Sequence, residues 1–117
     1  MAKLVTKLAI IKTAGTPVEE IIGRLNTKTA NISIAKMFSR KGWVEPGQIR
    51  KFREYILVFK GALHVTTRRE KLIVRAGQAV IVNAGEWVHY STPQAGGAQY
   101  LAVCEPAYSP KLVRRVD

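Results

Sequence analysis

Two stretches of this chain carry glycines at fixed intervals along β-type sequence, and that spacing constrains the fold more than any other feature. The first runs from Gly42 to Gly61 (GWVEPGQIRKFREYILVFKG) and the second from Gly77 to Pro93 (GQAVIVNAGEWVHYSTP). In each, apolar and β-branched runs read as strands, and the glycines as bends or bulges between them. In the first, five residues separate Gly42 from Gln48, one separates Gln48 from Arg50, three separate Arg50 from Glu54 and six separate Glu54 from Gly61. In the second, five residues separate Gly77 from Asn83, and Gly85 follows after Ala84.

The rest of the chain continues the pattern. Residues 3–13 (KLVTKLAIIKT) are apolar and partly alternating, which predicts a strand, and AGTP punctuates its end. VEEIIGRLN has the one helix-like start, with Pro17 ahead of Glu19 and Glu20, but Gly23 weakens it and a short strand fits equally well. Ile32 and Ile34 alternate with Ser33 and Ala35. ALHVTT and KLIVRA read as strands joined at Arg68-Arg69-Glu70, and AQYLAVCE as a last strand before Pro106. Eight to ten short strands with turns about every ten residues predict an all-β barrel or sandwich with at most one short helix.

A chain of 117 residues is one domain, 1–117, and its 47% hydrophobic and 23% charged content excludes a disordered protein. The lone Cys104 leaves no internal disulfide and fits a reducing, cytoplasmic setting. The apolar run LAII before Lys12 is too short for a signal-peptide core or a membrane span, so no membrane partner is expected. The net charge of +11 stands apart: eleven of the nineteen Lys and Arg lie between Lys36 and Arg75, against Glu45, Glu54 and Glu70. Such a face attracts polyanions without selecting among them. No recognisable nucleic-acid motif interleaves aromatic and basic residues, so specific nucleic-acid binding is not expected, and a solubility role is the plainer reading.

The first stretch resembles the first motif of the cupins, G-x5-H-x-H-x3-E-x6-G, and the second resembles their second motif, G-x5-P-x-G-x2-H-x3-N. EYILVFKGALHV and the tail AVCEPAYSPKLVRRVD are similar to small single-domain cupins of the conserved-barrel type. The resemblance covers residues 30–105 and implies a double-stranded β-helix, or jelly-roll, barrel. It also implies a metal held by three histidines and a glutamate, with coordination positions left open for substrate. Gln48, Arg50, Glu54 and Val88 occupy those four positions, and Thr92 stands where the asparagine would be. Glutamine is a poor transition-metal ligand, a guanidinium is none, and valine cannot coordinate. The metal motif is degenerate and a metal cofactor is not favoured. A divalent transition metal held by Glu54 and His89 is the alternative, and it requires a bulge near Gly85, because His89 otherwise faces away from Val88.

Arg50 and Glu54 admit three readings: a buried ion pair, an anion grip with Gln48 adding a hydrogen bond, or solvated charges on an edge. Trp43, Phe52, Phe59, Trp87 and Tyr100 read as packing, with Trp87 and Tyr90 also candidates for a wall of the pocket. His64 reads as exposed beside the core residues Leu63 and Val65, and Cys104 as inert core. The expectation is therefore a cupin barrel, homodimeric through strand 3–13 added to a neighbour's sheet, binding a small polar or anionic metabolite at Gln48, Arg50, Glu54, Trp87 and Tyr90. Catalysis is not expected. The alternatives are an isomerase- or dioxygenase-like metal enzyme, and an interaction module that uses the basic surface.

Overall fold

A fifteen-residue strand, β6 (Arg53–Thr67), is the spine of the computed structural model, which describes residues 2–13 and 16–116. The bend or bulge expected at Gly61 lies within one continuous strand. Val58 pairs with Tyr100 and Lys60 with Gln99, so Phe59 is bulged out and the inward positions shift from Glu54, Ile56 and Val58 to Leu63 and Val65. Gly61 has φ +78°, and a Cβ there would run into the carbonyl oxygen of Gly97, so the bend requires glycine.

Because it bends, β6 serves two leaves. The first leaf runs β1 (Ala9–Ile11), β2 (Val18–Ile22), β3 (Ser33–Ser39), β10 (Ala98–Glu105), the first half of β6, then β8 (Ala79–Val82). The second runs β7 (Lys71–Arg75), the second half of β6, β9 (Trp87–Thr92), β5 (Gln48–Arg50) and β11 (Val113–Arg115), with the two-residue β4 (Trp43–Val44) also on β9. All pairings are antiparallel. The leaves face each other across a core that includes Val58, Leu63, Val65, Val74, Val82 and Val88.

One segment departs from the sequence expectation, and two more are settled by the structure. Strand 3–13 is confined to Ala9–Ile11, which pairs with β2 of the same chain; residues 2–8 lie outside any strand, with the Lys7 carbonyl held by Asn26 Nδ2 at 2.7 Å. VEEII takes the strand reading that the sequence left open beside a helix. The buried Glu20 carboxylate accepts from the backbone N–H groups of Leu25 and Asn26, each at 2.9 Å, and Gly23 leaves room for it. That fixes a turn where a helix would have continued. In the tail a 3-10 turn, Pro110–Leu112, leads into β11, which closes the edge of β5.

Candidate ligand site

Alternation in the short β5 sends Gln48 and Arg50 inward and Ile49 outward. The chain then bends through Lys51 and the buried Phe52, and β6 brings Glu54 inward beside Arg50. On β9 the same alternation turns Val88 and Tyr90 inward. Gln48, Arg50, Glu54 and Tyr90 therefore line one cavity of about 610 Å³ between the leaves, floored by Ile56, Tyr100 and Ala102. Lys12, Val44, Pro110 and Arg115, all exposed, lie at its mouth.

The polar centre is a closed triangle. Arg50 Nη2 lies 2.9 Å from Glu54 Oε1 and donates to Tyr90 Oη at 3.1 Å, while Tyr90 Oη donates to Glu54 Oε1 at 2.6 Å. Glu54 Oε2 faces the Cys104 thiol at 3.8 Å, its direct partner across β6 and β10. The guanidinium also lies over the rings of Phe52 and Tyr90, at 5.2 and 5.4 Å from their centroids. Of the three sequence readings, the buried pair is the one the structure contains, and among the described residues only Nη2 of Arg50 is hydrogen-bonded.

Burial sets the electrostatics of the cavity. It pushes the Glu45 carboxyl up to about 7, helped by the Glu54 charge and opposed by Arg50 and Arg115. Burial, then Glu54, raises the Tyr90 hydroxyl well above its ordinary range and raises the Cys104 thiol likewise, so Cys104 is no ready nucleophile. Burial works against the Arg50 charge, but Glu54 and Tyr90 outweigh it and the guanidinium stays protonated.

Two predicted residues lie elsewhere. Trp87 and His89 occupy the outward positions of β9, stacked on each other with ring centroids 6.3 Å apart. Tyr90 and Trp87 are three apart on one strand, so only one can face the cavity. Glu54 and His89 are consequently not brought together. His64 is outward too, but half-buried, and Phe59 is exposed through the bulge. Sequence reasoning missed Glu45, Tyr108, Val113 and Arg115 as cavity residues. The alternation of Val113 and Arg115 in VRR was the signal for the last two; Glu45 and Tyr108 sit in loops, where no period marks them.

A transition metal does not fit these residues. Glu54 is the one ligand type among the four motif positions, and its carboxylate is engaged by the cation of Arg50. Among the described residues no three His, Cys, Asp or Glu side chains gather to hold a metal ion. What the arrangement offers instead is a fixed guanidinium at the wall of a hollow, with Gln48 and Tyr90 beside it, suited to a carboxylate or phosphate.

No protein-family model matches the chain. Over 98 residues it is 34% identical to an endoribonuclease YbeY of Myxococcus xanthus (strain DK1622), a match covering 84% of this chain and 33% of that protein. The chain thus spans about a third of the length of that relative. Among solved structures, the polyketide cyclase RemF from Streptomyces resistomycificus superposes with a TM-score of 0.79 at 17% identity, over 100% of this chain and 87% of that one. A Streptomyces PAC13 variant with uridine superposes with a TM-score of 0.77 at 13% identity, over 97% and 88% of the two chains. These neighbours are cupin barrels, and the fold of this chain is the all-β cupin fold.

Proposed function

We propose that the barrel holds a small polar or anionic metabolite against Arg50, with Gln48, Tyr90 and Glu54 around it and without the three-histidine, one-glutamate metal set. The observation that carries this reading is the commitment of a single Arg50 nitrogen, Nη2, within the wall of the cavity. Nη1 and Nε remain for a ligand oxygen, and Lys12 and Arg115 at the mouth add attraction for an anion. A cupin neighbour that carries uridine supports a small-molecule cavity in this fold. Endoribonucleolytic cleavage belongs to a relative that the match covers over only 33% of its length, and is not carried over to this chain.

The reading is tested by thermal shift against panels of carboxylates and phosphate esters. A ligand at about one hundred times its Kd stabilises by about 2.7 kcal/mol, a rise of several degrees. The rise is expected in the wild type and in Lys36→Ala, and is lost in Arg50→Gln. A panel that shifts nothing, or one that shifts Arg50→Gln equally, overturns the proposal.

We place this binder in the cytoplasm as a homodimer. Support for the dimer comes from the outer face of the first leaf, where Phe38, Leu57, Phe59 and Ile81 are all exposed. Sedimentation of the wild type as a dimer and of Leu57→Lys/Ile81→Lys as a monomer is the expected outcome; a monomeric wild type removes this part.

A further inference from the structure

We infer that the outer face of the second leaf binds single-stranded nucleic acid without sequence selection, independently of what the barrel holds. Register gathers the groups. With Val88 and Tyr90 inward, Trp87 and His89 stand outward on β9; His89 lies opposite Thr66, and His64 on β6 lies opposite Ser91. Both histidines of the chain therefore share this face, as diagonal neighbours across two strands. Across β6 on the other side, Lys71 pairs with Thr66 and Arg75 with Ala62 on the same face, and Arg114 on β11 flanks Ile49, the neighbour of Trp87.

The chemistry of the face is planar and positive. Arg68, at the end of the hairpin, lies over the Trp87 ring at 4.7 Å, and the His89 ring stacks beside it at an interplanar angle of 25°. His64 Nε2 is buried, with no hydrogen-bond partner among the described residues. No outward strand position on this leaf carries an acid. Glu70 sits at the hairpin tip, and the Glu86 carboxylate is turned to the backbone of Asn83. Among the described residues the only ion pair is Arg50 with Glu54, so Arg68, Lys71, Arg75 and Arg114 are unpaired cations.

A strand of RNA or DNA meets both features. Its phosphates match the four cations, and its bases stack on the exposed Arg68 guanidinium and the half-buried His89 ring beside Trp87. An acidic peptide would satisfy the charge alone and leave the planar groups unused. The other outer face supplies the contrast: Lys36 and Lys60 there stand among Phe38, Leu57 and Leu101, so its exposed aromatic rings lie among apolar side chains and not beside a run of cations.

The test is fluorescence anisotropy with a short labelled oligouridylate. The expected wild-type behaviour is binding whose log K falls against log salt with a slope of roughly −3, for four phosphates on a single strand. Arg68→Glu/Lys71→Glu/Arg114→Glu should weaken it by at least about tenfold, while Lys36→Glu/Lys60→Glu leaves it nearly unchanged. In Trp43→Phe, which keeps Trp87 as the one tryptophan, the oligonucleotide should quench the indole emission. Absence of binding at low salt overturns the inference. So does equal loss in both charge-reversal variants, which would mean net charge alone, or displacement by polyglutamate as effective as by unlabelled oligouridylate, which would mean an acidic protein partner.

Discussion

The interior of this barrel has two halves with opposite character. One is filled by Val58, Leu63, Val65, Val74, Val82 and Val88, none of which touches the cavity. The other is hollow and carries Gln48, Arg50, Glu54 and Tyr90. The same strands build both: β6 supplies Leu63 to one half and Glu54 to the other, and β9 supplies Val88 and Tyr90. Apolar side chains close on each other because burial is favourable without direction. Charged groups need specific partners and shed water at a cost, so the half that holds them stays open. The motif positions divide along the same line. Val88, where the cupin pattern has a histidine, has joined the filled half, whereas Arg50, where it has another, is paired in the hollow one.

If that division is real, damage to the two halves should separate stability from binding. Leu63→Ala, at a fully buried site, should cost about 3–4 kcal/mol in urea denaturation and leave ligand affinity per folded molecule intact. An equal loss of affinity would merge the halves into one unit. Arg50→Met strips the buried Glu54 of its partner and should cost about 2–3 kcal/mol, somewhat less than a sealed pair because water reaches the cavity. Adding Glu54→Leu should recover most of that loss while anion binding stays abolished. A double variant no more stable than Arg50→Met would show that the triangle is not the source of the cost.

The filled half was legible in the sequence, because period-two alternation and glycine spacing depend only on local geometry. Leu63, Val65, Phe52 and Tyr100 read as core and are buried. The hollow half was legible where a motif fixed the position, as for Gln48, Arg50 and Glu54. It was illegible where the contact is made by tertiary closure. Tyr90 was legible as a pocket residue, but not the bonds by which its hydroxyl closes the triangle from β9, and Arg115 reaches the mouth only because the tail pairs with β5. Trp87 misled because its size suggested a pocket wall, while the alternation that turns Tyr90 inward turns it out. Phe59 misled because one bulged residue reverses the face of its neighbours, and nothing in the run EYILVFKG marks which residue is extra.

Within the hollow half, Tyr90→Phe tests the triangle more finely. It removes the hydroxyl that donates to Glu54 and accepts from Arg50, yet keeps the ring and the direct 2.9 Å ion pair. The expected cost is about 1–2 kcal/mol, since both lost bonds involve charged partners. A cost near zero would mean that the ion pair alone organises the site.

An effect of similar size, and the one that ties the cavity to pH, belongs to Glu45. Its carboxyl is held near 7 in the folded chain, above an ordinary value of 4.5, first by burial and then by the Glu54 charge. The folded state therefore binds this proton more tightly than the unfolded one. The stability so gained is complete below pH 4.5 and is lost as the pH rises through about 7. Between those limits the wild type should lose about 1–2 kcal/mol from this group, discounted for water in the cavity. Glu45→Gln should flatten that slope and be the more stable protein at alkaline pH. It should also remove any weakening of anion binding above pH 7, because in the wild type a second carboxylate then appears beside Arg50 and Arg115. Parallel pH profiles for wild type and Glu45→Gln would mean that this carboxylate is already hydrated, and that the hollow half opens to water further than its lining suggests.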